Sequence, residues 1–262
     1  MPVPPIRPQY NESRKEKNEV PERPDGRAPE DLRPIKIQTG FLDTAEGSCW
    51  IEFGKTKVLC TASFQDSVPS WKTDDSGWVT AEYAMLPKSS KTRIAREGAR
   101  PKGRTAEIQR LIGRSIRAIT DFDALGNRMV NIDCDVIQAD GGTRTAAVTG
   151  AMIAYWEACH LMKSAGIIKA WPIRERVAAV SVGRAGGVAL LDLCYAEDSM
   201  AEVDMNVVMT ESGKIVEVQG TAETIPFSRE ELDEMLMLSE KGIRELIALE
   251  AEALKRFPLL AS

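Results

Sequence analysis

Histidine is almost missing from this sequence: His160 is the only one in 262 residues. A nuclease mechanism that pairs two histidines as general acid and base is therefore excluded. His160 lies in the apolar stretch AYWEACHLM, which reads as helix, so a structural role suits it better than a catalytic one. Cysteine is also thin. Cys49, Cys60, Cys134, Cys159 and Cys194 are scattered, with no C-x-x-C pair, which argues against a disulfide framework or a zinc knuckle and for reduced cysteines used as small core residues. Neither G-x-S-x-G nor H-E-x-x-H occurs, so no serine-nucleophile elbow or zincin motif is present. No apolar run approaches the roughly 18–20 residues that span a bilayer. The N-terminus is polar and proline-rich rather than basic and then apolar, so no signal peptide is visible and a cytoplasmic enzyme is the expectation.

What is present is a chain able to bury a core, with 43% apolar residues, and a lopsided charge. The net charge of -5 alone would not point to nucleic acid. Between Lys88 and Arg117, however, ten basic residues face only Glu97 and Glu107, which makes that segment +8 and leaves -13 for the rest. A concentrated positive field on an acidic body is what a polyanion site needs, although a solvated charged loop has the same composition.

Along the chain, residues 1–22 are poor in apolar residues and read as a disordered tail, with one domain expected from 23 to 262. Strands are expected at IKIQTGF, SCWIEFG, KVLCTASFQ and GWVTAEYAML. A basic loop, 88–103, follows. Over 104–120 the residues Ile108, Leu111, Ile112, Ile116 and Ile119 share one helical arc, with Arg110, Arg114 and Arg117 opposite. MVNIDCDVIQ alternates, with Val130, Ile132, Cys134 and Val136 on one side. A helix over 144–164 follows the turn Asp140-Gly141-Gly142. Hairpins are expected at 176–194 and 202–221, then a last helix with the capping box Ser228–Glu231. Helices packed on mixed sheets make the fold class α+β.

Three stretches carry chemistry. Asp140-Gly141-Gly142-Thr143-Arg144-Thr145 stands where a strand gives way to a helix, where free N–H groups and the helix dipole favour an anion. A threonine hydroxyl and an arginine fork would complete the ring of donors. Read alone, the stretch favours a tight turn capped by Thr143 over an anion site; it is neither a Walker loop nor a dinucleotide fingerprint. Arg104, in Lys102-Gly103-Arg104-Thr105, sits in the first turn of its helix, where the dipole disfavours a cation unless an anion is bound. The third stretch places Asp192, Glu197, Asp198, Glu202 and Asp204 around a break between two apolar strands. Fully extended, Asp198 and Asp204 would stand about 20 Å apart. They share a cation such as Mg²⁺ or Mn²⁺ only if Asp198 lies on a connection that folds back; an acidic hairpin loop is the other reading.

Together these stretches resemble the ribonuclease PH family. The resemblance runs from RPDGR at residue 23 to the last helix and is carried by DGRAPEDLRPI, WVTAEYAMLP, GRTAEIQRLIGRSIRA, NIDCDVIQADGGTRTAAVTGA, LDLCYAEDSMAEVDMNVVMT, VEVQGTAE and FSREEL. It implies two β-α-β halves with mixed sheets and packed helices. It also implies phosphate held by Arg104, Gly142, Thr143 and Arg144, catalysis and metal binding (Mg²⁺ or Mn²⁺) by Asp198 and Asp204, and RNA gripped by Lys88, Arg93 and Arg96. Lys88 departs from the family's usual arginine, which keeps charge but loses a bidentate fork. The tail 1–22 has no counterpart in the family's usual start.

The implied activity is phosphate-dependent 3′→5′ trimming of transfer RNA precursors by a homohexamer, a trimer of dimers, with nucleotide addition as the reverse reaction. Inorganic phosphate would be the co-substrate. Three other readings stand beside it: a non-catalytic RNA-binding subunit of an exosome-like ring, a ring subunit that needs a partner chain, and a hydrolytic nuclease.

Overall fold

A computed structural model of the chain describes residues 23–96 and 103–259. The tail 1–22, read as disordered, and part of the basic loop, including Arg100 and Lys102, lie outside the described residues.

Alternation builds the first sheet. Its strands are β1 (Ile35–Thr39), β2 (Gly47–Phe53), β3 (Thr56–Gln65), β4 (Trp78–Met85) and β5 (Met129–Gln138), in the order β1-β2-β3-β5-β4. In β5, Val130, Ile132, Cys134 and Val136 are buried while Asn131, Asp133 and Asp135 face the other way half-exposed, as the period of two requires. Each pairing is antiparallel except β4 with β5. A parallel pair needs a crossover, and α1 (Arg104–Ala118), followed by the one-turn helix α2 (Phe122–Leu125), supplies it. Ile108, Leu111, Ile112 and Ile116 of α1 are buried, and Arg110 and Arg114 are exposed. The expected arc is the one that packs.

α3 (Thr143–Ser164) is expected as a helix, but its place in the fold is not visible in its period. Ala146, Ala147, Val148, Ala151, Ile153 and Tyr155 are all fully buried and point in every direction round the axis. A helix apolar all round must be covered on all sides. It lies between β2 and β3 of the first sheet and β6 (Val177–Ala185) of the second. Backbone contact is close enough to demand glycine: a Cβ on Gly47 would fall 2.0 Å from the Ala154 carbonyl oxygen, and one on Gly150 would fall 2.7 Å from Cys60 Sγ.

The second sheet is antiparallel throughout, in the order β7-β6-β8-β9, with β7 (Val188–Leu191), β8 (Val203–Thr210) and β9 (Ile215–Ala222). β7 is shorter than the strand expected to reach Cys194. The chain leaves the sheet at Asp192, which takes a left-handed conformation with φ 53°, and forms the single turn α4 (Tyr195–Asp198). α5 (Arg229–Ala253) covers the far face through Met235, Ile243, Leu246 and Ile247. Its capping box is formed: the Ser228 hydroxyl accepts from Glu231 N–H at 3.2 Å, and the Glu231 carboxylate accepts from Ser228 N–H at 2.7 Å. The α+β class holds, and all five cysteines are free and buried. His160 is half-buried against Phe257, with Nδ1 3.0 Å from the Pro258 carbonyl oxygen, a packing role. No helix among the described residues is long and apolar enough to cross a membrane.

Candidate functional site

The site forms where the first helix of one half, the central helix and the second sheet meet. The turn before α3 needs positive φ at Gly141 (77°) and Gly142 (63°). Its carbonyls are turned away: Arg33 donates to the Asp140 carbonyl at 2.6 Å, and the Thr56 hydroxyl donates to the Gly141 carbonyl at 2.6 Å. The N–H groups of Thr143, Arg144 and Thr145, in the first turn of α3, have no intrahelical acceptor. Thr143 is not the cap that the turn-only reading made it. Gly142 occupies the cap position, and the Thr143 hydroxyl accepts from Tyr83 at 2.9 Å, which leaves its own proton to give.

Arg104, Gly142, Thr143 and Arg144 converge with Asp198 and Asp204 on one pocket of about 60 Å³, which Ser181, Leu193 and Asn206 complete. A water needs about 10–15 Å³ of such space, so the pocket has room for a small oxyanion. Asp204 lies on β8 opposite Gly183 of β6, and Asp198 closes α4 on the connection from β7, so the chain folds back as a shared cation requires. A roomier cavity of about 490 Å³ on the open face of the first sheet is lined by Glu82, Asp133 and Asp135 and by no cation, and it does not suit phosphate.

The five carboxylates of the acidic stretch now separate by partner. Asp192 receives the Arg33 guanidinium (2.7 and 2.9 Å) and the Arg33 N–H (2.8 Å). Glu197 receives Arg23 Nε at 2.6 Å and Nη2 at 3.0 Å. Glu202 accepts from Gly187 N–H at 3.3 Å. Only Asp198 and Asp204 have side chains without a hydrogen bond among the described residues. Burial raises the pKa of Asp198, which Arg104 and Arg144 partly offset. Burial and then the charge of Asp198 push Asp204 up to about 6. Two crowded, desolvated carboxylates of this kind are relieved by a cation. Among the described residues no cluster of three or more His, Cys, Asp or Glu could hold a metal, so an ion here would take these two aspartates and complete its shell with water and phosphate oxygens.

The sequence reading missed the pairs that hold these groups in place. Arg33 and Arg23 tie the segment before β1 to Asp192 and Glu197, and Arg33 also grips the phosphate-type turn. The turn and the α4 segment abut: a Cβ on Gly141 would fall 2.6 Å from the Leu193 carbonyl oxygen. Arg23 and Arg33 stand in the stretches Arg23-Pro24-Asp25-Gly26-Arg27 and Leu32-Arg33-Pro34, but bonds this far apart in sequence leave no spacing to read. Gln219 of β9 and Glu107 of α1, both bonded to Arg144, were also missed.

Lys88, Arg93 and Arg96 are not brought to the pocket. They stand exposed on the loop after β4, Lys88 donating to the Lys91 carbonyl, and the charge of Arg96 acts on Asp135 of the open sheet face.

Residues 31–158 match the model of the 3′ exoribonuclease family, domain 1, and residues 175–242 match domain 2 of that family. The chain belongs to the 3′ exoribonuclease (ribonuclease PH) family. In this family member the pocket straddles the two matched domains, with Arg104, Gly142, Thr143 and Arg144 from the first and Asp198 and Asp204 from the second. Solved structures share the fold. Rice (Oryza sativa) Rrp46 is 17% identical with a TM-score of 0.73, over 89% of this chain and 100% of that one. The Archaeoglobus fulgidus exosome with RNA bound to the active site gives 23% and 0.74, over 87% and 92%. An archaeal exosome core gives 20% and 0.70, over 88% and 91%.

Proposed function

We propose that this family member is a phosphate-dependent 3′→5′ exoribonuclease that trims transfer RNA 3′ ends and releases nucleoside diphosphates. The observation that carries the reading is the pocket's composition. Two arginines and a helix N-terminus, donors for an oxyanion, face two aspartates whose carboxylates take no hydrogen bond from any side chain among the described residues. A hydrolytic nuclease needs no second anion site beside its scissile phosphate; a phosphorolytic one does.

Arg104, Arg144 and the N–H groups at Thr143 hold inorganic phosphate against the last phosphodiester of the RNA. A phosphate oxygen attacks that phosphorus, the bond to the 3′-oxygen of the penultimate nucleotide breaks, and the proton that the phosphate brings passes overall to the released 3′-oxygen. A divalent cation, Mg²⁺ or Mn²⁺, held by Asp198 and Asp204 would supply charge stabilisation on the phosphoryl oxygens. Lys88, Arg93 and Arg96 bind upstream backbone phosphates, and the active form is a homohexamer. One phosphoanhydride replaces one phosphodiester, so the reverse reaction adds nucleotides when phosphate is scarce.

Two of the similar solved structures are archaeal exosomes, which favours a second reading as a ring subunit that binds RNA or needs a partner chain. Shortening of a 3′-extended transfer RNA by the purified chain with Mg²⁺, titrated against phosphate, separates the two. Phosphate-dependent shortening supports the enzyme. RNA binding without shortening supports the ring subunit.

A further inference from the structure

Arg144 is held by one nitrogen of its guanidinium. Its Nη1 donates to Gln219 Oε1 at 2.6 Å and to Glu107 Oε1 at 3.0 Å, while Gln219 Nε2 donates to the same Glu107 oxygen at 2.5 Å. Nε and Nη2 have no hydrogen-bond partner among the described residues. Those two N–H groups form the edge of the guanidinium that pairs two oxygens of an anion at once. The three side chains come from three elements: Glu107 from α1, Arg144 from α3 and Gln219 from β9.

A second contact fixes the same junction. Arg114 lies two helical turns after Glu107 on the same face of α1, and its guanidinium forks onto Glu217 at 2.8 and 2.7 Å. Glu217 and Gln219 are two apart on β9 and so face α1 together. α1 carries Arg104 at its first residue, and β9 flanks β8, which carries Asp204.

We infer that Glu107 and Gln219 are positioning residues that hold the Arg144 fork with its free edge toward the phosphate subsite, across the junction of the two halves. The inference rests on the reading of Arg144 as a phosphate ligand. Glu107 Oε1 accepts from both Arg144 and Gln219, a role that an amide oxygen keeps and a methyl group does not, and that makes the two substitutions at this position diverge.

The test is steady-state phosphorolysis by the full chain with inorganic phosphate as the varied substrate. Glu107→Ala should raise the phosphate KM about tenfold, the scale of one charge-assisted hydrogen bond, with kcat at saturating phosphate, the RNA KM and the melting temperature close to wild type. Glu107→Gln keeps the accepting oxygen and should stay within about threefold of wild type. Gln219→Ala should raise the phosphate KM as Glu107→Ala does, and the double variant should be little worse than either alone. An unchanged phosphate KM in Glu107→Ala, or a lower one, with a phosphate-dependent wild type, overturns the inference alone; a lower value would make Glu107 a competitor for Arg144. A Glu107→Gln variant as impaired as Glu107→Ala overturns the acceptor role. A wild type that turns over without phosphate overturns the site reading, and the inference with it.

Discussion

Replacing Asp204 by asparagine should abolish turnover and at the same time make the metal-free chain more stable. Asp204 is raised to about 6 from the ordinary 3.8, by burial and by the charge of Asp198. A carboxyl with a raised folded pKa makes its full contribution below the unfolded value and loses it as pH rises through the folded one. The ionised side chain therefore weighs against folding above pH about 6. A gap of about two pH units, at about 1.4 kcal/mol each, sets an upper bound of about 3 kcal/mol. No hydrogen bond is lost with the substitution, because the Asp204 side chain makes none among the described residues. At about 2–4 °C per kcal/mol for a chain of this size, Asp204→Asn should melt several degrees above wild type in EDTA at pH 8. The difference should shrink as pH falls from about 6 toward 4. Mg²⁺ should raise the melting temperature of wild type and not that of the variant. A variant no more stable than wild type at pH 8, or a difference that ignores pH, would refute the reasoning.

The arginine pair should be separable from RNA binding. Arg104→Ala and Arg144→Ala should each raise the phosphate KM at least tenfold or stop turnover while RNA affinity holds, which filter binding at fixed salt would check. Lys88, Arg93 and Arg96 lie outside the pocket, so their joint replacement by alanine should spare the phosphate KM. RNA affinity should fall, with a salt dependence shallower by about two in the log–log slope, roughly 0.7 per lost contact. Arg33→Ala leaves the fully buried Asp192 carboxylate without its main partner and should cost about 3–5 kcal/mol in denaturant unfolding. A loss below about 1 kcal/mol would mean that the pair does not organise the turn.

The sequence shows most of the elements because their periods are strong. The alternation in β5 and the five-isoleucine-and-leucine arc of α1 correspond to buried faces almost residue for residue. It shows less of the assembly. α3 has no apolar stripe, since a helix covered on all sides needs none, so its place between the sheets could not be read from it. Strand β7 ends early because Asp192 is bound by Arg33 at φ 53°, a constraint imposed from 159 residues away. The site residues were named through the resemblance to ribonuclease PH, and the structure brings six of the nine into one pocket. Spacing alone left Asp198 and Asp204 undecided against an acidic loop. The arginines that claim Asp192 and Glu197, and so leave the other pair open, come from the start of the domain.

Phosphorolysis is the central claim, and the label of the attacking phosphate tests it most directly. The purified chain would be given a 3′-extended transfer RNA, Mg²⁺ and ³²P-labelled inorganic phosphate, and the released nucleotides separated. The account predicts nucleoside diphosphates with the label in the β-phosphate, and at sub-saturating phosphate at least several-fold fewer of them when Arg144 is alanine. Unlabelled nucleoside monophosphates from the wild-type chain would show water as the nucleophile and contradict it.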